Sequence, residues 1–316
     1  MLGPVEVLSN GSALSLGGVI QRAALGYLLL NSNKVVATSA VVRAVWGHDA
    51  PPTARKMVQN AVSRLRRTLG DGGDRSCGSA ELLTSCPGYQ LNVDPDAVDL
   101  LRFRKLADRG RAELAGGFEE QAARDLGDAL NEWRGPALGD LTERGISWPQ
   151  MALLENERLS AVEDRAEARL ALGRHFEVVH ELEALVEAEP TRERLCGQLM
   201  LALYRCHRQR EALMVYQRTR MALVDGYGLD PSRQLQELEV AILQHAPSLT
   251  APGRPAAVAG APAGAGRAAA SPVRAVHHPS VGGVPPHLGV PARDRNEEAA
   301  LASRWRGRDP LWTSLW

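Results

Sequence analysis

Lysine is nearly missing from this chain of 316 residues, which contains only three, at positions 34, 56 and 105. None of them completes a G-x-x-x-x-G-K-[ST] motif, so the sequence lacks this phosphate-binding loop. The sequence also lacks the G-x-S-x-G nucleophile motif and the H-E-x-x-H zinc motif. We therefore expect no catalytic residues, no cofactor and no enzymatic activity.

Cysteine and long apolar runs are scarce as well. The four cysteines, at positions 77, 86, 196 and 206, have no paired C-x-x-C spacing, and we expect all four to be free thiols. His175 and His180 are five residues apart, which is a poor spacing for two ligands on one helix face, so no metal site is expected. No apolar run approaches 18 residues and no signal pattern begins the sequence, which predicts a cytoplasmic protein with no membrane partner.

Acidic residues are missing from residues 53–69, which contain five basic ones. Thr53, which follows two prolines, predicts the N-cap of a helix, and Gly70 predicts its end. On a helical wheel one side is apolar and consists of Val58, Ala61, Val62, Leu65 and Leu69. The other side and its shoulders carry Lys56, Gln59, Asn60, Ser63, Arg64, Arg66 and Arg67. Solvated faces usually mix both charge signs, whereas these side chains suit phosphates and base edges, so the pattern predicts a nucleic-acid-binding helix.

The distribution of charge supports this prediction, although the formal net charge of the whole chain is zero. Residues 1–70 have a net charge of +6, and residues 97–246 have a net charge of −6. Opposite signs on two segments are typical of a basic nucleic-acid-binding head on an acidic body. We expect the protein to associate with the nucleoid.

The first 95 residues show the pattern of a winged helix-turn-helix domain. Short strands are predicted at 2–8 and 13–16, helices at 21–30, 38–46 and 54–69, and a hairpin from strands 81–84 and 89–93. The third helix of such a domain enters the major groove, and the hairpin, or wing, touches the backbone or the minor groove. Trp46 is interpreted as a core aromatic. Tyr89 suits the core of the wing and a phosphate contact equally.

Residues 97–246 show nearly unbroken helical periodicity, which predicts an all-α domain. The predicted helices are 99–115, 118–133, 149–172, 175–188, 192–206, 209–224 and 232–244. The segments that begin at Arg174 and Arg208 are similar and 34 residues apart, which is typical of tetratricopeptide-like helix pairs.

Residues 247–316 contain ten of the 19 prolines, amid alanine and glycine. Such a composition buries too little apolar surface to fold, so we expect a disordered tail. Its tryptophan-rich end is either a short docking motif or a remnant of a longer relative.

Several motifs resemble those of the SARP family (Streptomyces antibiotic regulatory proteins). In the first domain they are Leu2-Gly-Pro-Val-Glu-Val, Leu16-Gly-Gly, Gln21-Arg-Ala, Trp46-Gly, Pro51-Pro-Thr-Ala, Ser63-Arg-Leu-Arg-Arg and Pro87-Gly-Tyr. In the second domain, the family's bacterial transcriptional activation domain, they are Trp133-Arg-Gly-Pro-Ala-Leu, Ala171-Leu-Gly-Arg, Leu199-Met-Leu-Ala-Leu-Tyr and Gly228-Leu-Asp-Pro. The resemblance covers residues 1 to about 246, and without a G-x-x-x-x-G-K-[ST] motif it implies the small form that lacks the family's ATPase domain.

The resemblance implies a mainly α protein with a response-regulator-type winged helix-turn-helix at its N-terminus. It also implies an activator of antibiotic or other secondary-metabolite genes that binds direct repeats in promoter DNA as a homo-oligomer and contacts the RNA polymerase holoenzyme. The implied DNA contacts are Thr53, Arg55, Lys56, Gln59, Asn60, Ser63, Arg64, Arg66, Arg67, Gly88 and Tyr89. The alternative is a tetratricopeptide-like interaction scaffold whose winged module does not bind DNA.

Overall fold

The structure is a computed structural model that describes residues 1–9, 11–71 and 80–250, all within one compact unit. The N-terminal part contains β1 (Leu8–Ser9), β2 (Ser12–Ala13), α1 (Val19–Leu30), β3 (Val35–Ala37), α2 (Thr38–Trp46), α3 (Ala54–Asp71), β4 (Glu81–Ser85) and β5 (Gly88–Asn92). Cys77 and most of the tail predicted to be disordered, residues 251–316, lie outside the described residues.

The prediction of two N-terminal strands is only partly correct. The N-terminal hairpin contains only two residue pairs, Leu8 with Ala13 and Ser9 with Ser12. Residues before it bond to the helical body instead: the Leu2 carbonyl accepts a hydrogen bond from the Arg134 amide at 2.7 Å. A sequence pattern shows an extended apolar segment but not the distant group that satisfies its backbone.

A three-stranded antiparallel sheet completes the winged module, with the strand order β3-β5-β4. Val36 pairs with Tyr89, and Leu82 pairs with Leu91 across the wing. Gly88 lies where β3 meets β5, and a Cβ atom there would lie 1.9 Å from the carbonyl oxygen of Val36. This close approach requires glycine.

The rest of the described chain is helical, in agreement with the prediction. Its α-helices are α4 (Asp99–Ala115), α5 (Glu119–Asn131), α6 (Gly139–Thr142), α7 (Pro149–Ala171), α8 (His175–Ala188), α9 (Glu193–Arg205), α10 (Gln209–Tyr227) and α11 (Arg233–Leu243). The turns between paired helices repeat one conformation, because Gly117, Gly173 and His207 all have left-handed backbones with φ of 75°, 77° and 62°. The predicted fold class, a small winged module followed by tetratricopeptide-like helix pairs, is confirmed.

Two hydrophobic cores organise these elements. The first core contains residues of the winged module together with Phe103, Leu126 and Trp148 of the helical body, and the second runs from Val162 to Leu249. Trp148 links the parts directly: its ring lies edge-on to Tyr27 at 5.3 Å between centroids. Its Nε1 donates to the carbonyl oxygen of Ala44 at 2.9 Å. The predicted domain boundary at residues 95–97 stays a prediction, and side-chain packing runs across it.

The described cysteines, Cys86, Cys196 and Cys206, are free thiols. Within the described ranges, no group of three or more His, Cys, Asp or Glu side chains could hold a metal ion. No helix of the described residues is long and apolar enough to cross a bilayer.

Candidate nucleic-acid interface

The helix α3 is held by the apolar side that the sequence predicts. Val58, Ala61, Val62 and Leu65 are at most 4% exposed, and Leu69 is partly buried at the edge of the same core. Helix α1 and strand β4 pack against α3. Burial of one face fixes the rotation of the helix, so the polar side chains of the opposite face lie at the surface.

The polar side of α3 is fully available at the surface. All nine predicted contacts on and just before this helix are exposed: Thr53, Arg55, Lys56, Gln59, Asn60, Ser63, Arg64, Arg66 and Arg67. Thr53 lies at the predicted N-cap position, directly before Ala54, and its carbonyl oxygen accepts from the Met57 amide at 3.0 Å. Its hydroxyl donates to Sδ of Met57 at 3.7 Å instead of accepting from a backbone amide of the first turn. The helix also continues one residue beyond Gly70, to Asp71.

The basic side chains of this helix have no acidic partners among the described residues. No carboxylate that the structure describes lies within 4 Å of Arg55, Lys56, Arg64 or Arg67, whereas Arg22 of α1 pairs with Asp140 at 2.7 Å. Arg55 and Lys56 occupy the first turn of the helix, where the helix dipole disfavours a positive charge by about 0.3–1 kcal/mol each. Their positions do not stabilise the helix, which favours a role in binding an anion.

Arg66 has a different environment from the other basic residues of α3. Its Nε donates to the carbonyl oxygen of Leu82 at 2.7 Å, and its Nη2 donates to Oγ1 of Thr84 at 2.7 Å. Both acceptors belong to strand β4 of the wing. Arg66 therefore connects α3 to the wing and fixes their relative position.

Comparison with known proteins agrees with this architecture. The family model "Transcriptional regulatory protein, C terminal" matches residues 19–91, and "Bacterial transcriptional activator domain" matches residues 98–243. Regulatory protein DnrI of Streptomyces peucetius is 34% identical over 252 residues, which cover 79% of this chain and 93% of that protein. This chain belongs to the SARP family of transcriptional regulators.

One mycobacterial relative of this SARP has a solved structure. Transcriptional regulatory protein EmbR of Mycobacterium tuberculosis is 37% identical over 247 residues, which cover 78% of this chain and 63% of that protein. A solved structure of EmbR in complex with a low-affinity phosphopeptide superposes with a TM-score of 0.71 and covers 77% of this chain and 64% of that chain. This SARP sequence therefore spans somewhat less than two thirds of the length of EmbR.

Two predicted contacts of this SARP, Gly88 and Tyr89, lie in its interior. Tyr89 is 7% exposed within the first core, and Gly88 is buried against strand β3. Both are held by pairing with β3, which lies more than 50 residues earlier in the chain. Burial removes both from the set of contacts we propose, and for Tyr89 it favours the core interpretation.

Within the described residues, two further basic side chains lie unpaired at the surface, although no sequence pattern indicates them. Lys34 and Arg43 are exposed and have no carboxylate within 4 Å in the part of the chain that the structure describes. Neither belongs to an amphipathic basic pattern, so only their exposure and lack of partners single them out. The wing strands contain no lysine or arginine, and Thr84 and Ser85 are the polar side chains near the tip.

Proposed function

We propose that this SARP is a sequence-specific DNA-binding activator of transcription, with α3 as its recognition helix. The observation that carries the proposal is the exposed side of α3, where four basic side chains lie more than 4 Å from every carboxylate that the structure describes, above a buried apolar side. Free cations bind phosphates by releasing counterions, and a helix is the element that fits the major groove.

The side chains of α3 divide between two kinds of contact. Gln59 and Asn60 carry amide groups, which can pair with both hydrogen-bonding atoms of an adenine edge, and Arg64 and Arg67 can pair in the same way with guanine. Arg55 and Lys56, at the start of the helix, suit the phosphates that border the groove. Arg66 binds the wing of the protein itself. We expect the wing to contact DNA through hydroxyl and backbone groups.

The body supplies the activating function in this proposal. Its residues 98–243 match the bacterial transcriptional activator domain, and DnrI and AfsR are regulatory proteins of Streptomyces species. We infer that two or more copies bind direct repeats in promoter DNA, contact RNA polymerase holoenzyme and switch on antibiotic or other secondary-metabolite genes. The setting would be the cytoplasm, at the nucleoid, and the protein would not act as an enzyme.

The proposal is tested by fluorescence anisotropy on promoter DNA that footprinting of the gene's own flanks has identified. Asn60→Ala and Arg67→Ala should each weaken specific binding by about 1–3 kcal/mol, or roughly 5-fold to 150-fold. Arg144→Ala is the matched control, because Arg144 is exposed, has no side-chain partner in the described structure and belongs to the body. Circular dichroism of the three variants should be identical.

Two outcomes would overturn this function. If the protein does not raise the anisotropy of promoter DNA at about 100 mM salt, the interaction scaffold is favoured, since phosphate contacts that bind DNA should be detectable at this salt concentration. Equal weakening by Arg144→Ala would show that net charge, rather than the face of α3, drives the binding.

A further inference from the structure

Exposed apolar side chains are concentrated at the end of the helical body. Among the described residues, seven of the twelve large apolar side chains that are exposed lie between positions 214 and 243. Single exposed leucines are normal on proteins, but a contiguous apolar patch marks an interaction surface. Stacked helix pairs usually end on a helix with a polar outer face, and α10 and α11 depart from that rule. Their outer side is therefore a candidate for a covered surface.

One face of α10 forms a continuous stripe along the helix. Its positions are spaced by four, three, four and three residues, which places them on one side of an α-helix. We define the α10 stripe as Arg210, Met214, Gln217, Met221 and Val224. Met214, Met221 and Val224 are 47%, 56% and 43% exposed, while Ala212 and Val215 on the opposite face are buried in the second core. Burial of that face fixes the outward orientation of the stripe.

A shallow groove lies at the N-terminal half of the α10 stripe. A hollow of about 440 Å3 at its first half is lined by Gln209, Arg210, Leu213, Met214 and Gln217. Gln209 donates to the carbonyl oxygen of Ile242 at 3.0 Å, so helix α11 borders the same region. Methionine side chains are flexible and polarisable, and they suit surfaces that accept an apolar side chain of variable shape.

Positive charge accompanies the stripe. Arg210, Arg218 and Arg220 are exposed, and in the described structure none of them lies within 4 Å of a carboxylate oxygen. On the wheel Arg218 and Arg220 lie on opposite edges of the stripe, and Arg210 lies on its axis. Most other arginines of the body are ion-paired, as Arg192 is with Glu163 at 2.7 Å. A partner with carboxylates along both edges would complete this surface.

The same charges disfavour a second copy as the occupant. A two-fold contact through the α10 stripe would place the stripe against itself, and its arginines would then face arginines. An apolar centre with basic edges matches an amphipathic helix that carries acidic residues, which is a common mode of helix recognition in a groove. We propose that the α10 stripe binds an acidic amphipathic helix of a partner protein, with the partner's apolar side chains on Met214, Met221 and Val224 and its carboxylates on Arg218 and Arg220.

The test uses the full chain and a labelled synthetic peptide of 18 residues. The peptide places leucines at the stripe spacing and glutamates on both edges, and fluorescence anisotropy measures its binding at low salt. A peptide of the same composition in scrambled order is its control. Binding by the ordered peptide alone is expected, and it should weaken with salt because the charge pairs are exposed.

Two variants and one control locate the contact. Met221→Ser and Arg218→Glu should each weaken peptide binding by about tenfold, which corresponds to about 1.4 kcal/mol. Arg144→Glu should leave peptide binding unchanged, because Arg144 is exposed, lies outside the stripe and has no carboxylate partner among the residues that the structure describes. Peptide binding is measured without DNA, so its result does not depend on the DNA-binding proposal. All three variants should also keep the DNA affinity that we propose for the wild type, because the stripe and α3 are separate surfaces.

Several results would overturn the proposal. They include equal binding of both peptides, no binding of either peptide, and insensitivity of binding to Met221→Ser. Sedimentation that shows self-association of the wild type, abolished by Met221→Ser, would assign the stripe to a second copy. Stronger binding to vesicles with anionic lipid than to the peptide would assign it to a membrane surface.

Discussion

Arginine has different surroundings in the winged module and in the helical body of this SARP. Among the eight lysines and arginines of residues 1–70, only Arg22 lies within 4 Å of a carboxylate oxygen of the described residues. Thirteen of the nineteen arginines in residues 97–246 lie that close to a carboxylate, and many of those pairs join different helices. The body uses arginine to bind its own helices together, and the winged module leaves arginine free for an external anion.

The difference shows that net charge is a weak guide to function. The segment charges of +6 and −6 indicate which part is basic, but they do not show which cations are available. Glu163 illustrates the point, since this buried carboxylate contacts Arg192 at 2.7 Å and Arg194 at 3.5 Å from a neighbouring helix. A paired arginine and an unpaired arginine contribute the same formal charge, but only the unpaired one is available to an external anion.

The largest expected effect comes from the apolar side that presents the free arginines. Leu65→Ala should lower the free energy of unfolding by about 2–5 kcal/mol, because Leu65 is 1% exposed and its loss leaves a cavity. Arg67→Ala, two residues later and exposed, should change it by less than about 0.5 kcal/mol. Urea unfolding followed by circular dichroism measures both. A similar loss in both variants would mean that the two faces of α3 are assigned incorrectly.

The second-largest expected loss of stability concerns the paired arginines of the body. Glu163→Ala should destabilise the protein by about 3 kcal/mol, since it removes the buried carboxylate that pairs with Arg192, whereas Arg194 keeps Asp164 at 2.8 Å. Glu237→Ala is the matched control, because the Arg233–Glu237 pair at 2.7 Å is exposed, and exposed pairs contribute about 0–1 kcal/mol. Equal thermal unfolding of the two variants would show that the pairs in the body contribute nothing beyond those at the surface.

A smaller effect tests the contact between the two regions. Trp148→Phe keeps an aromatic ring near Tyr27 but removes the hydrogen bond from Nε1 to the Ala44 carbonyl in the last turn of α2. The loss should be about 1 kcal/mol, and amide exchange should become faster at the end of α2 in particular. Trp46→Phe provides the comparison within α2 itself. Unchanged exchange in Trp148→Phe would show that the body does not hold the helix-turn-helix.

An exception among the arginines of the body gives a pH-dependent prediction. Arg205 has no carboxylate within 4 Å in the described residues and donates instead to the carbonyl oxygens of Leu170 and Leu249. Burial, and then the positive charge of Arg205, lower the pKa of His175 below its ordinary value of 6.5. The unfolded chain therefore binds a proton more readily, so stability is complete above about pH 6.5 and falls as the pH drops toward the lowered pKa.

The check on this prediction is thermal unfolding between pH 7.5 and 5. His175→Asn should flatten the pH dependence relative to the wild type. His180→Asn, at an exposed histidine of the same helix, should leave the dependence in place. A steeper curve for His175→Asn would reverse the sign of the linkage.

Helix positions could be predicted from the sequence because their signals are local. Helix α4 begins at Asp99 and ends before Gly116, and α8 runs from His175 to Ala188, both as predicted. The four-residue helix α6 was missed, since a single turn leaves no periodic pattern. Strand 2–8 was predicted too long because its backbone partners, Arg134 and Asp140, lie more than 100 residues away.

The candidate site also contains some residues that a local pattern predicts and others whose position depends on distant contacts. Amphipathicity within one helix was sufficient to identify the exposed set from Arg55 to Arg67. The burial of Tyr89 and Gly88 depends on pairing with β3, and the binding of Arg66 to the wing depends on strand β4. Both are contacts between segments that a pattern within one segment does not contain.

The first hydrophobic core also has a consequence for engineering regulators of this family. Because Trp148, Leu141 and Leu138 pack with residues of the winged module, a chimera joined at residue 96 would bring together halves with mismatched surfaces. If α3 recognises DNA as we propose, exchanging promoter specificity between relatives would require transplanting the chain through residue 148, or grafting the outer side of α3 alone.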